Sequence, residues 1–302
     1  MAAVRFGTYN LLNLKGPTTG ERYGKVVEVI QGLDVDVLAV QEILASDEQD
    51  AGKTLTALGQ DVGLVGEYEP GRPAVATGHK LTAGDLYFHI GLLWKPGIEP
   101  VPGLFRALVE DFWHALAIGV FDLGGPKVAM ASFHASPFGR NARADQAERV
   151  VSALTRPDTR PPGMVGADWN CIGADWRNDG SGPYDHDWHA EEPWHDALIY
   201  QCRWTTVDGV RRHWADRGPG EVLYYGGLRD AAAVLDAPWE PTVGHWPSDD
   251  PYGERRIDGI RVTSDLVPVL QEIQTERTEL SLQASDHLPV VVTFDPGLIT
   301  VA

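Results

Sequence analysis

The sequence predicts a mixed α/β protein, on three observations. Short apolar, β-branched runs alternate with stretches whose apolar residues recur at helical spacing. Several of the runs end abruptly in a carboxylate, a carboxamide or an imidazole. The last run, Leu288 to Phe294, is instead preceded by such groups, and a sheet whose last strands run antiparallel to its first would gather all of them at one mouth.

The elements follow in order. Val4 to Tyr9 is expected as a strand ending at Asn10. Tyr23, Val26, Val27 and Ile30 stand at i, i+3, i+4 and i+7, an amphipathic helix closed by Gly32. Asp36 to Gln41 is the next strand and ends at Glu42, so one strand–helix–strand unit carries an Asn and a Glu to the same sheet edge. Leu55, Leu58 and Val62 mark a second helix over Ala51 to Val62. Leu86 to Trp94 is a strand, and His114 to Leu123 with Lys127 to Phe133 form a hairpin about Gly124-Gly125-Pro126, delivering His134 at its end. Ala147, Val150, Val151 and Leu154 are the stripe of a helix whose polar face carries Arg140, Arg143 and Arg149.

Met164 to Ala167 follows Pro161-Pro162-Gly163 as a short buried strand and gives way to Asp168-Trp169-Asn170. In an extended chain Asp168 and Asn170 point the same way, into the space beyond the strand. From Asp175 to Gly227 the periodicity fails among Trp, His, Gly and Pro, and loops with short helices are expected. Within it, Tyr184 to His189 holds metal-capable side chains at no defined zinc spacing and is expected to be a solvated acidic loop. Leu228 to Ala231 resumes as a helix, Arg255 to Val262 as a strand with Asp258 near its start, and Leu266 to Ile273 and Thr278 to Leu282 as further strand pieces. Ser285-Asp286-His287 then leads into the last buried strand.

Bulk properties narrow the chemistry. A chain of 302 residues, 43% hydrophobic and 23% charged, is ordinary for a folded globular protein with a sizeable core. The N-terminal stretch is interrupted by Thr8, Asn10 and Asn13 and is expected to be neither a signal peptide nor a membrane span. Two cysteines, Cys171 and Cys202, exclude a disulfide scaffold, leave one optional bridge, and fit a reducing, cytoplasmic setting. The net charge of −18 repels polyanions, so a phosphate-bearing substrate needs cations close by. The candidate set of Asn10, Glu42, Asp168, Asn170, Asp258, Asp286 and His287 is rich in oxygen and free of thiol, which suits Mg²⁺ or Mn²⁺ rather than structural zinc. His287 beside carboxylates would have its charged form stabilised.

Thr8-Tyr9-Asn10, Val40-Gln41-Glu42, Phe133-His134, Gly166-Ala167-Asp168-Trp169-Asn170, Arg256-Ile257-Asp258 and Ser285-Asp286-His287 together resemble, in order, the motif set of the endonuclease/exonuclease/phosphatase superfamily. The resemblance runs from residue 4 to residue 294. It implies one domain over 1–302, a four-layer α/β/β/α sandwich of two packed mixed sheets flanked by helices, and phosphoester hydrolysis with Mg²⁺ or Mn²⁺ at its mouth. It implies that Glu42, Asn10 and Asp286 attend the metal, that His287 is the catalytic histidine oriented by Asp258, that Asp168 and Asn170 handle the attacking water and the phosphate, and that His134 is a second histidine that contacts the phosphate or acts as an acid. The general base is Asp168 or His287. Two departures stand out: Ala167 separates Gly166 from the Asp where the family usually has the glycine adjacent, and Trp169 replaces a more typical Phe. The segment Asp85 to Lys95 offers no clear carboxylate to support His134.

The expected activity is that of a divalent-metal-dependent phosphodiesterase or nuclease. The alternatives are a phosphomonoesterase for a small molecule or nucleotide, and a binding module that has lost catalysis. The excursion is expected to be a wall or lid that sets specificity, with Arg140, Arg143, Trp188 and Trp194 as candidate substrate contacts.

Overall fold

The computed structural model describes residues 3–81, 85–156, 160–248, 250 and 252–300; the first and last two residues of the expected 1–302 domain lie outside them. The first half contains β1 (Val4–Leu14), α1 (Glu21–Leu33), β2 (Val37–Ala45), α2 (Glu48–Val62), β3 (Glu67–Glu69), β4 (Arg72–Pro73), β5 (Val75–Leu81), β6 (Tyr87–Trp94), β7 (Glu99–Pro100), β8 (Arg106–Leu108), β9 (Leu116–Asp122), β10 (Val128–His134) and α3 (Arg140–Leu154). The second contains β11 (Gly163–Asp168), α4 (Trp188–Glu191), β12 (Cys202–Val207), β13 (Val210–Ala215), α5 (Gly218–Tyr225), β14 (Leu228–Asp230), α6 (Ala231–Val234), β15 (Asp258–Thr263), β16 (Leu270–Thr275), α7 (Ser281–Ala284) and β17 (Val290–Phe294).

Two mixed sheets organise the fold. One has the order β16-β17-β1-β2-β6-β5; the other runs β14-β15-β11-β10-β9-β7, with β8 also paired to β9. In each, a single central pair is parallel, β1 with β2 and β10 with β11. The late strands β17 and β15 run antiparallel to β1 and β11, as gathering the polar ends at one mouth requires.

Strand alternation divides the core into layers. Val37 and Ala39 face the cluster between the sheets, with Phe6, Ile90, Trp94, Met130, Met164, Ile260 and Phe294. Their neighbours Leu38 and Val40 face outward under α1 and α2, against Val26, Ile30, Leu55 and Leu58. In the second sheet Met164 points inward, whereas Val165 packs beneath Val150 and Leu154 of α3. The result is helices, sheet, sheet, helices. Each fully buried Val or Leu here contributes about 1.5–3 kcal/mol.

The sheets approach closely beside the mouth. A Cβ added to Gly166 would lie 2.6 Å from the Thr8 Cβ, so this position of β11 tolerates only glycine without a shift. Gln41 Nε2 donates to Ser132 Oγ (3.1 Å), and Ser132 donates to the Val40 carbonyl (2.9 Å), which joins β2 to β10 through satisfied buried polar groups.

Several sequence expectations need correction. Helix α1 buries Val29 in place of Val27 and stops at Asp34, a left-handed residue, rather than at Gly32. Helix α2 starts three residues before the expected Ala51, because the Asp47 carboxylate caps the Asp50 amide. Leu228–Asp230 is a strand paired with β15, not a helix; helix begins only at Ala231. The stretch before Leu270 is 3₁₀ helix, and Thr278 to Leu282 forms a turn that enters α7 instead of a strand. The excursion holds short helices, α4 and the eight-residue α5, as expected, but it also contains a two-stranded ribbon, β12–β13, that the expectation of loops and short helices does not include. Tyr184, Asp185 and His189 are buried, so the expected solvated loop is a packed, ion-paired one. Cys171 and Cys202 are both free and buried.

Candidate active site

Two neighbouring parallel strands break regular geometry at the same level. Leu12, Asn13 and Glu42 take positive φ (47°, 51° and 61°), and the β1–β2 register shifts between Asn10 and Leu14. Non-glycine residues rarely sit there, and the strain re-aims the side chains at the strand ends. Asn10 Nδ2 donates to Glu42 Oε1 and to Asp168 Oδ2, both at 3.1 Å, while its Oδ1 accepts from the Leu12 amide (3.0 Å). Glu42 Oε2 accepts from the Asn13 amide (3.0 Å). Asn10 thus braces one carboxylate from each sheet, and its oxygen faces the backbone.

From the second sheet come His134, Asp168 and Asp258. His134 pairs with Asp168 in register at the end of β10 and β11, its Nε2 3.3 Å from Asp168 Oδ2. Asp168 Oδ1 accepts from the Asn170 amide (2.9 Å). Asn170 is left-handed (φ 50°), and its Nδ2 donates to the Ala135 carbonyl (3.1 Å), so it departs from the extended path expected for it while staying at the mouth. His287 Nδ1 lies 2.9 Å from Asp258 Oδ2, and its Nε2 lies 3.8 Å from Asp168 Oδ2. Ser285 Oγ donates to the Asn10 carbonyl (2.9 Å), and the His287 amide donates back to Ser285 Oγ (3.2 Å). Asp286 stands half-buried beside this turn, with Ser285 Oγ 3.4 Å from its Oδ1.

The electrostatics follow from burial and from partners. Burial disfavours a charged imidazole at His287, but Asp258, Asp168 and Asp286 outweigh it and hold the ring well above its usual 6.5. Burial also opposes ionisation of Asp168, yet His287 and His134 hold it far below the ordinary carboxylate range. Asp258 is pushed up to about 6 by burial, against the pull of His287 and with Asp168 adding to the rise. At neutral pH the three groups therefore form a compact anion–cation–anion row.

A divalent ion fits these residues. One ligand atom each from Glu42, His134 and Asp168 lies within 4.8 Å of the others; Asp168, Asp258 and His287 lie equally close, but there the cationic imidazole already fills the place between the two carboxylates and has no lone pair for a metal. Glu42 and Asp168 converge with carboxylate lone pairs still open, an arrangement that a hard cation relieves.

Other residues at the mouth carried no sequence signal or a faint one. Arg22 donates to the carbonyls of Leu11 (2.8 Å), Ala284 (2.9 Å) and Leu12, tying the irregular end of β1 to the turn before Asp286. Its faint signal was a cation in the first turn of a helix, against the macrodipole. His114 stacks on His134 with ring centroids 3.9 Å apart, in place of the carboxylate sought in Asp85 to Lys95. Burial, and then His134, push its pKa well below 6.5. Thr242 Oγ1 accepts from the amides of Ile257 and Asp258, both at 3.1 Å. The Trp169 indole donates to the Gly259 carbonyl (3.2 Å), giving that departure a structural use.

The four candidate substrate contacts stand differently. Arg143 is 1% exposed rather than on a polar face, and donates to the carbonyls of Ser136, Pro137 and Tyr200. Arg140 donates to the Cys202 carbonyl (3.1 Å) and lies over the Trp204 ring. Trp194 packs on Trp204 and His213 with Arg211 over its face. Trp188 opens α4 and presses against Gly253.

Two sheets with this strand order, flanked by helices, and a mouth of paired carboxylates and histidines define a phosphoesterase-type α/β sandwich. The model of the Endonuclease/Exonuclease/phosphatase family matches residues 7–287, and the chain belongs to that family, whose members are phosphoester hydrolases, generally dependent on a divalent metal. No curated protein matches the sequence. Among solved structures it is similar to an AP endonuclease from Archaeoglobus fulgidus (TM-score 0.62, 15% identity, 97% of this chain and 99% of that one). It is also similar to a 3′ phosphatase, NExo, from Neisseria bound to a product DNA hairpin (0.59, 16%, 97% and 100%). A humanized D. rerio TDP2 aligns comparably (0.59, 13%, 97% and 99%). At these identities the likeness is one of fold. Among the described residues no helix is long and apolar enough to cross a membrane.

Proposed function

We propose that the chain is a Mg²⁺- or Mn²⁺-dependent hydrolase that cleaves phosphodiesters by in-line attack of water on phosphorus. The observation that carries this reading is the Asp168–His287–Asp258 row braced to Glu42 through Asn10. Glu42 and Asp286 would hold the metal with Asn10 beside them; the bound cation would neutralise phosphate oxygens and favour ionisation of water.

The chain's own groups divide the remaining work. Asp168 is deprotonated at neutral pH whereas His287 holds its proton, so Asp168 takes the water proton, its Oδ1 oriented by the Asn170 amide and its Oδ2 by the Asn10 carboxamide. His287, kept cationic, binds a phosphate oxygen through Nε2, while Asp258 fixes the ring through Nδ1. His134, held flat against His114, offers a second contact to the phosphate. The single domain and the reducing, cytoplasmic setting suggested by two free thiols belong to the same reading.

A second reading is favoured by the net charge of −18: a phosphomonoesterase for a nucleotide or small molecule, which needs no cationic track. One panel separates them. Hydrolysis of bis(p-nitrophenyl) phosphate, p-nitrophenyl phosphate, plasmid DNA, RNA and nucleotides is measured with Mg²⁺, with Mn²⁺ and with EDTA, with Asp168→Ala and His287→Ala as controls. Diester turnover that requires metal and disappears in both variants is expected. Turnover of monoesters alone transfers the assignment to the second reading, and no activity above the variants on any substrate eliminates both.

A further inference from the structure

The flank of the second sheet away from the mouth carries a concentration of cations that the acidic chain shows in few other places. A cavity of about 620 Å³ opens between β8 and the C-terminal half of α3, and four arginines line it, Arg106, Arg149, Arg156 and Arg160, against two carboxylates, Glu110 and Asp111. Strand β11 runs from Gly163, just past Arg160, to Asp168 at the mouth, a span of roughly 17 Å at strand rise. The cavity is therefore separate from the candidate active site.

The arginines are poorly neutralised. Arg149 reaches Asp111 at 3.5 Å with both side chains exposed, a pairing worth little. Arg106 Nη2 donates to the Ala153 carbonyl (3.3 Å), a neutral acceptor. Arg156 and Arg160 have no carboxylate partner among the described residues. Arg160 Nε is buried and has no acceptor among the described residues, and the same side chain also borders two adjoining hollows. Burial and the nearby Arg160 both disfavour the charged form of Arg106, a like-charge conflict that an anion between the two would relieve. Leu108, Phe112 and Ala153 add apolar lining between the arginines.

We propose that this cleft binds a small phosphate-bearing molecule, with the Arg106, Arg156 and Arg160 guanidinium groups on the phosphate and the apolar lining against the rest of the ligand. Planar forks suit phosphate oxygens, and the apolar lining favours a phosphate attached to an organic group over the bare ion. The site is independent of the metal-dependent chemistry at the mouth.

The test is calorimetric titration of the whole protein, in EDTA, with pyrophosphate and with adenosine 5′-monophosphate. Expected is saturable binding near one equivalent, tighter for the nucleotide, weakened at least about tenfold in the Arg106→Gln/Arg160→Gln double variant and unchanged in His287→Ala; each lost charge-assisted contact corresponds to about that factor. Because Arg106 belongs to a strand, Arg156→Gln/Arg160→Gln, which alters only residues outside helices and strands, serves as a second variant with the same expectation. Absence of binding to the wild type, undiminished binding in both double variants, or loss in His287→Ala alone overturns the proposal. A single-stranded oligonucleotide that binds in place of either small probe overturns the small-molecule assignment.

Discussion

The mouth of the sandwich and the excursion after it are built by opposite means. At the mouth, regular strands carry polar groups to their ends, and the scaffold beneath is an apolar core with period-two alternation. In the excursion, the ribbon β12–β13 exposes nearly every residue after Cys202, and the anchor is ionic. Arg256 binds Asp185 (2.7 Å) and Asp230 (2.7 Å), and Arg261 binds Asp175 (2.7 Å), all buried. The strand that bears Asp258 is thereby the floor to which the excursion is fastened. Hydrophobic periodicity builds the platform for chemistry, and buried charge pairs attach the part peculiar to this chain.

Four perturbations sharpen that contrast. The largest effect belongs to the mouth: Asp168→Ala or His287→Ala is expected to lower kcat by about 10²–10⁴ with near-ultraviolet circular dichroism unchanged, and a loss below tenfold in a folded variant would remove either residue from the proposed mechanism. Next comes the excursion anchor. Asp185→Ala leaves Arg256 short of a buried partner and should cost about 3–5 kcal/mol in urea unfolding. Should stability hold, the excursion is not fastened through this pair.

Gly166→Ala drives a Cβ against Thr8 and should cost about 1–3 kcal/mol by overpacking, read as a lower urea midpoint with little change in slope. The gentlest effect is a pH slope. Burial, aided by Arg255, lowers the His189 pKa to about 4. Above about 6.5 both folded and unfolded forms are neutral there and His189 contributes nothing. As pH falls from 6.5 towards 4, the unfolded chain takes a proton that the folded chain refuses, so stability declines by at most one tenfold change in the folding constant per pH unit. His189→Phe should flatten that part of the stability–pH curve, and an unchanged slope would remove His189 as its source.

The same division explains what could be read in advance. His134, Asp168 and Asp258 lie at strand ends that apolar runs announce; Asn10 and Glu42, expected at strand ends too, lie inside β1 and β2 where their regular pairing breaks, and the shared level still follows from strand directions. Asp185 could not be read in this way, because the partner that buries it lies 71 residues away. Arg143 was placed on a polar helix face because a helical wheel omits the loop carbonyls of Ser136 and Pro137 that its guanidinium fills. Both faces of the ribbon β12–β13 are wet, so no alternation survives in its sequence to announce strands. The three-residue strand Leu228–Asp230 is too short for any period to show, and its assignment comes from pairing with β15.

Three polar links described above, Asn10 to Asp168, His287 to Asp258 and Gln41 to Ser132, each join one sheet to the other. The seam between the sheets therefore passes through the middle of the proposed chemistry. Sliding one sheet by a fraction of a residue would misalign the groups while leaving each hydrophobic layer intact, so activity is a finer gauge of inter-sheet registry than any measure of overall folding. In that sense the Asn10 carboxamide is a stitch whose tension sets the spacing of two carboxylates.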